Sequence, residues 1–238
     1  MKQYNFLFFD IDDTLLDFKA TEKSALTFLF KEQGLVLTDE IEQRYDQINQ
    51  TLWQSFEQNK INRNDIFTSR FPLLFKELDV AIDGLAFEKS YRHFLNHGHD
   101  LIDGSLDLLK ELSSRHSIYA VTNGISKTQY QRMEAANLLP LFKDVFVSED
   151  TGYQKPMKPY FDYVFEHIPN FSIDQSLIIG DSLSSDILGG QTVGMDTCWF
   201  NPNLKPTNPQ IQPTYQITKL DELHDIICKK KSLLKDTF

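Results

Sequence analysis

Three aspartates stand directly after a short apolar run near the start of the chain: Asp10, Asp12 and Asp13 follow Phe6–Phe9. Asp10 and Asp12 are two positions apart, so in an extended backbone their side chains project to the same side. Two neighbouring carboxylates cannot comfortably both ionise unless a cation lies between them; otherwise one of them is held protonated. The spacing therefore predicts either a metal site or an acid–base pair.

A second pair of acids, Asp181 and Asp186, follows another apolar run, 176–180. Mg²⁺ prefers oxygen ligands and keeps several of its waters, so we expect Asp10 and Asp181 to hold it. With its charge masked, Asp10 can attack a phosphorus atom and form an aspartyl phosphate. Asp12 can protonate the leaving oxygen and then take a proton from the hydrolytic water. The acids together predict phosphoryl transfer.

Polar groups after a further apolar run can hold the phosphate oxygens of such a substrate. Phosphoryl transfer depends mostly on positioning and positive potential, because negative charge is spread over the transferring group. The hydroxyl of Thr122 and the backbone N–H groups of Asn123 and Gly124 can bind the non-bridging oxygens. The "TNG" stretch (122–124) is therefore a candidate phosphate-binding turn.

The positive charge can come from either of two lysines, Lys155 and Lys158. Pro156 favours the first position of a helix, which would leave Lys155 at the exit of the loop. Lys158 would then fall within the first helical turn and point away. We therefore expect Lys155 to supply the fixed positive charge.

Five apolar runs are expected to form the strands that position these groups. They are continuous rather than alternating, which is typical of strands buried on both faces of a parallel sheet. The runs are 5–9, 117–122, 145–148, 176–180 and 197–200. Helical patterns lie between them, at about 104–115, 126–137, 157–168 and 184–193. This alternation predicts an α/β fold with a doubly wound, mostly parallel, Rossmann-like sheet, whose ligands bind beyond the carboxyl ends of the strands.

A long segment between the first two strands carries no strand signal, and a crossover helix needs far fewer residues. It reads as several amphipathic helices, of which the first closes on Gly34 and the second opens on Thr38. A third, about 64–78, contains Pro72 and is expected to be kinked or split there. We therefore predict a core domain of residues 1–16 and 100–238 and an inserted α-helical cap of residues 17–99.

The composition limits the partners. The formal net charge of −10 argues against a nucleic-acid polymer or an anionic membrane, which need a basic surface. It leaves room for a small phosphorylated ligand, because a metal or a lysine can reverse the field inside a pocket. No apolar segment approaches the roughly 20 residues of a membrane span, no signal peptide is expected, and Cys198 and Cys228 are expected to be reduced thiols. We therefore predict a cytoplasmic protein.

Two other features are expected to be structural. His97, His99 and Asp100 resemble a metal cluster, but a solvated connector is the simpler interpretation. Five aromatic residues of the cap segment could stack on a base, but their helical spacing favours the cap core. These are Trp53, Phe56, Phe67, Phe71 and Phe75.

The polar clusters resemble the four motifs of the haloacid dehalogenase-like hydrolase superfamily. They read Asp10-Ile11-Asp12-Asp13-Thr14, Thr122-Asn123, Lys155, and Gly180-Asp181 through Asp186. The helical insertion is similar to the cap of the superfamily's first subclass. The resemblance implies that Mg²⁺ is bound by Asp10, the backbone carbonyl of Asp12, and Asp181. It also implies a surrounding layer formed by Asp186, Thr14, Ser182 and Ser185.

Longer stretches narrow the resemblance to the branch of bacterial pyrimidine 5′-nucleotidases. They are "FFDIDDTLLDF", "VTNG", "SEDTGYQKPMKPYFDYVFEHIP", "GDSLSSDILGG" and "GMDTCWFNP". The resemblance implies a Mg²⁺-dependent phosphomonoesterase for pyrimidine nucleoside monophosphates such as UMP, dUMP and dTMP, with the base and sugar read by the cap.

Other functions stay open at this stage. They are a phosphatase for a sugar phosphate or phosphoglycolate, a phosphomutase like β-phosphoglucomutase, and a non-catalytic protein that binds phosphorylated metabolites. Dehalogenase chemistry needs neither Asp12 nor a metal site, which disfavours it. The motifs do not distinguish a monomer from a dimer.

Overall fold

The computed structural model describes residues 2–227, so Cys228 lies outside the described residues. Six parallel strands form one sheet in the order β3-β2-β1-β4-β5-β6. The strands are β1 (Phe6–Phe9), β2 (Ser117–Thr122), β3 (Asp144–Val147), β4 (Ser176–Gly180), β5 (Asp196–Phe200) and β6 (Tyr215–Ile217). The predicted α/β fold is confirmed, with β6 as an additional strand. The central position of β1 brings the ends of β2 and β4 to either side of Asp10.

Both faces of the sheet are covered, as continuous apolar strands require. Leu7 and Phe9 of β1 belong to one hydrophobic cluster, whereas Phe8 belongs to another on the opposite face. The helices of this part of the chain are α5 (Ser105–Ser113), α6 (Ser126–Ala135), α7 (Ser148–Thr151), α8 (Lys158–Glu166), α9 (Leu188–Val193) and α10 (Leu223–Ile227). A π-helical turn, Leu183–Ile187, precedes α9.

The start of α8 differs from the prediction. Pro156 does not occupy the first position of the helix, because α8 begins at Lys158 with Pro159 in its first turn. Proline is favoured in the first turn of a helix, and both Pro156 and Pro159 could have taken that place; the helix uses Pro159.

Four helices connect β1 to α5: α1 (Phe18–Glu32), α2 (Asp39–Glu57), α3 (Arg63–Glu77) and α4 (Gly84–Leu95). The side chain of Thr38 accepts a hydrogen bond from the N–H of Ile41 and so caps α2, as expected. Helix α3 continues through Pro72, so the alternative that the helix is split there is wrong. A capping box between Asn62 and Asp65 fixes the start of α3.

These four helices enclose a hydrophobic cluster of their own, built around Phe30, Tyr45, Phe71 and Phe75. His97, His99 and Asp100, which follow α4, are exposed. We propose that the chain divides into a cap of residues 17–99 and a core of residues 1–16 and 100–238; of this core, the structure describes residues 2–16 and 100–227. Within residues 2–227, no helix combines the length and the hydrophobicity needed to cross a bilayer.

Candidate active site

The loops that follow four strands meet at the carboxyl edge of the sheet. Asp10 follows β1, Thr122 ends β2, and Asp181 follows β4 directly. Lys155 lies in the loop that leads from β3 to α8. This convergence places groups that are far apart in sequence around one point.

Lys155 lies at the centre of the arrangement and is only 1% exposed. Its Nζ donates hydrogen bonds to Asp10 Oδ1, to Asp186 Oδ1 and to the carbonyl of Val121, each at 2.7 Å. Burial opposes the charge of the ammonium, but the two carboxylates outweigh it and raise the pKa of Lys155 above its usual range. Lys155 is therefore a fixed cation beside Asp10.

The alternative lysine, Lys158, is exposed and pairs with Asp162 one helical turn away. The side chain of Asn123 instead fixes the backbone of Lys155. Its Oδ1 accepts from the N–H of Lys155, and its Nδ2 donates to the carbonyl of Lys155, both at 2.9 Å. Asn123 thus joins the end of β2 to the lysine loop.

The hydroxyl oxygen of Thr122 accepts two hydrogen bonds, from the N–H of Gly124 at 3.1 Å and from Nε2 of Gln129 at 2.8 Å. Gly124 and Gln129 both donate to the oxygen of this hydroxyl group, so its hydrogen is available for donation to an incoming oxygen atom. This geometry suits a phosphate oxygen at the "TNG" turn.

Three carboxylates gather beside Lys155. Asp10, Asp181 and Asp186 each offer an oxygen atom, and these atoms lie within 4.8 Å of one another. Burial raises the pKa of Asp10 well above its usual range, Lys155 opposes that shift, and Asp186 and Asp181 add to it. Burial also raises the pKa of Asp181 to about 7, against the lowering effect of Lys205.

The donor set of this cluster fits Mg²⁺. Three carboxylates face two ammonium groups, the buried one of Lys155 and the partly exposed one of Lys205, so the cluster keeps an excess of negative charge, and all its donors are oxygen atoms. Asp186 was expected only in the surrounding layer; the structure places its carboxylate against Lys155 and beside the other two acids.

Gly180 makes this position of Asp186 possible. A Cβ atom at residue 180 would lie 2.2 Å from Asp186 Oδ2. The same oxygen accepts a hydrogen bond from the N–H of Ser182 at 3.1 Å. A glycine before Asp181 is therefore required by the close approach of the second acid.

The remaining predicted residues support the loops. The hydroxyl of Thr14 donates to Asp10 Oδ2 at 3.4 Å and accepts from the N–H of Asp181 at 3.1 Å. Ser182 caps the π-helical turn: its hydroxyl oxygen accepts from the N–H of Ser185 at 3.2 Å. Thr14 thus connects the loops after β1 and β4.

Asp12 has partners that the sequence reasoning missed. Arg132 Nη1 donates to Asp12 Oδ1, and Gln129 Nε2 donates to Asp12 Oδ2 at 2.7 Å. Gln129 and Arg132 are three residues apart on α6 and therefore lie on one helix face. The sequence signal that could have identified them is this spacing of two polar residues, Gln129 and Arg132, in the helix that follows Thr122.

A cavity of about 470 Å³ lies over these groups. Its cap side includes Asn49, Trp53, Phe67, Arg70 and Arg92. A volume of this size is within the usual range for small-molecule sites. The expectation that the cap aromatics are core holds for Phe56, Phe71 and Phe75, which are buried, and is wrong for Trp53 and Phe67, which line the cavity.

The hairpin between α2 and α3 contacts the loops of the sheet. Ser184 Oγ donates to Glu57 Oε2 at 2.7 Å, and Gln154 Nε2 donates to the carbonyl of Phe56 at 2.8 Å. Arg63 donates to the hydroxyl of Ser148. The four helices therefore lie over the cluster of acids in this structure.

The chain matches known proteins along most of its length. The family model for haloacid dehalogenase-like hydrolases matches residues 7–200. The protein named HAD-hydrolase YfnB, from Bacillus subtilis, is 53% identical over 227 residues, which are 95% of this chain and 97% of YfnB. A crystal structure of YfnB bound to magnesium has a TM-score of 0.91 and covers 96% of this chain and 100% of that one.

Two further relatives carry a more specific name. Pyrimidine 5′-nucleotidase PynA of Streptococcus pneumoniae is 38% identical over 233 residues, which are 98% of each chain. Pyrimidine 5′-nucleotidase YjjG of Escherichia coli is 30% identical over 230 residues, 95% of this chain and 99% of YjjG. From the family match and these identities, this chain belongs to the haloacid dehalogenase-like hydrolases.

Proposed function

We propose that this protein is a Mg²⁺-dependent phosphomonoesterase that hydrolyses pyrimidine nucleoside 5′-monophosphates such as UMP, dUMP and dTMP. The observation that carries the proposal is the buried contact of Lys155 with Asp10, beside Asp181 and Asp186 and beneath the cavity. A lysine, a carboxylate nucleophile and an oxygen-rich cation site at one point are the parts that phosphoryl transfer needs.

Asp10 is the proposed nucleophile. Lys155 holds Asp10 Oδ1. The other oxygen of Asp10, Oδ2, forms the bond to phosphorus while the ester P–O bond breaks. The protonated form of Asp12 gives its proton to the leaving alcohol oxygen. In the second half of the reaction, Asp12 takes a proton from water, whose oxygen attacks the phosphorus, and phosphate leaves with Asp10 restored as a carboxylate.

Asp10, the backbone carbonyl of Asp12, and Asp181 would hold Mg²⁺. When bound, the ion supplies positive charge that lets the negative phosphate approach the ionised Asp10. The hydroxyl of Thr122 and the backbone N–H of Asn123 hold the oxygens of the transferring group, whereas the N–H of Gly124, also expected to do so, donates to the Thr122 hydroxyl instead.

Two observations support a nucleotide as the substrate. PynA and YjjG, named as pyrimidine 5′-nucleotidases, are similar to this chain over nearly its whole length. The cavity also has aromatic and amide side chains on its cap side, namely Trp53, Phe67 and Asn49. Flat aromatic faces and amides suit a planar base with hydrogen-bonding edges.

A panel of phosphate-release assays with the purified protein and Mg²⁺ tests the proposal. We expect UMP, dUMP and dTMP to be better substrates than purine nucleotides, sugar phosphates and phosphoglycolate, and we expect a chelator to abolish the activity. A preference for sugar phosphates would remove the nucleotidase assignment. Isomerisation of a hexose phosphate without release of phosphate would identify a phosphomutase, and no hydrolysis of any ester would favour a binding protein.

The nucleophile is tested by Asp10→Asn. We expect this variant to fold, because an amide replaces a carboxylate of nearly the same shape, and to lose turnover. Far-UV circular dichroism checks the fold, and phosphate release checks turnover. Normal activity in Asp10→Asn would refute the role of Asp10.

A further inference from the structure

We propose that Arg132 is a positioning residue for Asp12. We also propose that it couples the position of this carboxylate to the two connectors between the cap and the sheet, which lie near Phe18 and near Gly98. The inference rests on the proposed function, in which Asp12 gives a proton to the leaving oxygen.

The two oxygens of Asp12 are held from one helix, α6. Arg132 Nη1 donates to Oδ1, and Gln129 Nε2 donates to Oδ2 at 2.7 Å. Arg132 Nη1 also donates to Gln129 Oε1 at 3.3 Å, which links the two partners. Both side chains line the cavity, but that of Asp12 is 29% exposed whereas that of Arg132 is only 1% exposed. Arg132 therefore contacts the carboxylate from the buried side and leaves its other side to a ligand.

The same guanidinium group contacts both connectors. Its Nε donates to the carbonyl of Gly98 at 2.7 Å, in the segment that leaves α4. Its central carbon lies 5.3 Å from the ring centroid of Phe18, the first residue of α1. The chain enters the cap near Phe18 and leaves it near Gly98, so the side chain of Arg132 contacts both connectors.

The connectors are packed tightly enough to transmit movement. A Cβ atom at residue 98 would lie 1.9 Å from the side chain of Thr21, so the segment after α4 lies directly against α1. A displacement of the cap therefore shifts the carbonyl of Gly98 and the ring of Phe18 relative to Arg132. Either shift removes a contact that holds the guanidinium group toward Asp12.

The burial of Arg132 carries the desolvation cost of a charged group. Its Nη2 is buried and has no hydrogen-bond partner within residues 2–227. An apolar side chain would fill this place without the desolvation of a charge. The charged planar group is therefore explained by its geometry, which can hold a carboxylate, a carbonyl and an aromatic face at once.

Gln129 extends the same positioning to the phosphate. Its Nε2 also donates to Thr122 Oγ1 at 2.8 Å, and a Cβ atom at residue 124 would lie 2.3 Å from that nitrogen. One face of α6 thus fixes both the proton donor and the hydroxyl that is placed for a phosphate oxygen. The cap connectors act on this face through Arg132.

The test is a double-mutant cycle on Arg132→Gln and Asp12→Asn, measured as single turnovers with enzyme in excess. The two substrates are UMP, whose alcohol leaves only with a proton, and p-nitrophenyl phosphate, whose phenolate leaves without one. We expect Arg132→Gln to slow release of the alcohol from UMP by ~100-fold, the scale of general acid catalysis. Release of p-nitrophenolate should slow by less than ~5-fold, because proton donation contributes little to that step.

The cycle separates positioning from a general structural role. In the Asp12→Asn background, Arg132→Gln should have less than a ~3-fold further effect, because residues that act as a unit are not additive. Arg115→Gln removes an exposed arginine and is the control, with wild-type rates expected for both substrates. Equal slowing of both substrates, or effects that multiply in the double variant, would overturn the proposal.

The connectors are tested by Phe18→Leu, which keeps an apolar side chain but removes the aromatic face. We expect ~3–10-fold slower release from UMP, the scale of a cation–π contact, and no further effect in the Asp12→Asn background. Arg132→Lys keeps the charge and should recover part of the rate. If Arg132→Gln does not fold, Phe18→Leu and Arg132→Lys are compared in its place, with the same two substrates and with and without Asp12→Asn. Failure of the proposed function would appear earlier, as a wild-type protein without phosphatase activity.

Discussion

Lys155 Nζ and Asp10 Oδ1 are 2.7 Å apart although 145 positions separate the two residues in sequence. Both side chains are buried, and the same ammonium also binds Asp186 at 2.7 Å. This contact links the lysine loop to the loops after β1 and β4. It therefore places positive charge at the proposed site of phosphoryl transfer.

The first prediction concerns the removal of this charge by Lys155→Met. Two buried carboxylates would lose their common partner, and breaking a buried ion pair costs about 3–5 kcal/mol. Loss of the charge facing the phosphoryl group should also lower kcat by at least ~10²-fold. Urea unfolding measures the first effect, and phosphate release from UMP measures the second.

Lys158→Met is the matched control for this variant. Lys158 forms an exposed pair with Asp162, and such pairs contribute about 0–1 kcal/mol. We expect near wild-type stability and activity. A similar loss in both variants would mean that the positive charge of the whole loop matters, rather than the buried contact of Lys155.

The sequence was enough to predict the sheet and the edge at which the site lies. Continuous apolar runs identified five of the six strands, and the polar residues that directly follow β1, β2 and β4 had to meet wherever those strands are neighbours. Strand β6 has three residues, only one of them buried, so it gave no comparable apolar run.

The contacts of α6 and the cap could not be predicted in the same way. Arg132 and Asp12 are 120 positions apart, and their pairing depends on the rotation of α6 about its axis, which the polar face alone does not fix. Phe67 and Phe71 are one helical turn apart on α3, yet one lines the cavity and the other is buried in the cap. Both environments favour aromatic residues, so hydrophobic spacing cannot separate them.

The second prediction concerns these two aromatic residues. Phe67→Leu removes a flat face from the cavity, so we expect KM for UMP to rise by ~3–10-fold, with the free energy of unfolding nearly unchanged. Phe71→Leu changes a fully buried ring and should cost about 1–3 kcal/mol of stability with little effect on KM. Steady-state kinetics and urea unfolding of both variants check the contrast.

Glycerol phosphate serves as the reference substrate for that comparison, because it has no base. Its KM should be the same in the wild type and in Phe67→Leu. An equal rise in KM for both substrates would show that Phe67 supports the phosphate site rather than the base.

The third prediction concerns the buried ion pair of the cap. Arg70 donates to both oxygens of Glu88 at 2.7 Å, and both residues are almost fully buried. Glu88→Gln would leave the guanidinium group without its counter-charge, at a cost of about 3–5 kcal/mol by urea unfolding. The exposed pair of Arg44 with Glu77 is the control, and Glu77→Gln should cost less than about 1 kcal/mol.

The fourth prediction is a pH dependence of stability from Glu57, the last residue of α2, which accepts a hydrogen bond from Ser184. Burial raises the pKa of Glu57 to about 7. Between its ordinary pKa and pH 7, the folded protein binds more protons at this group than the unfolded chain does. The contribution of Glu57 to stability is therefore greatest below its ordinary pKa and is lost as the pH rises through 7.

Glu57→Gln removes this titration and keeps a polar group beside Ser184. We expect the variant to become more stable than the wild type as the pH rises, by on the order of 2 kcal/mol above pH 7, measured by urea unfolding. Glu40→Gln gives the opposite sign, because a hydrogen bond with Thr38 lowers the pKa of Glu40 and its ionised form is the favoured one. A wild-type and Glu57→Gln pair with the same pH profile would show that the carboxylate remains solvated, and that the hairpin of α2 and α3 does not close over the site in solution.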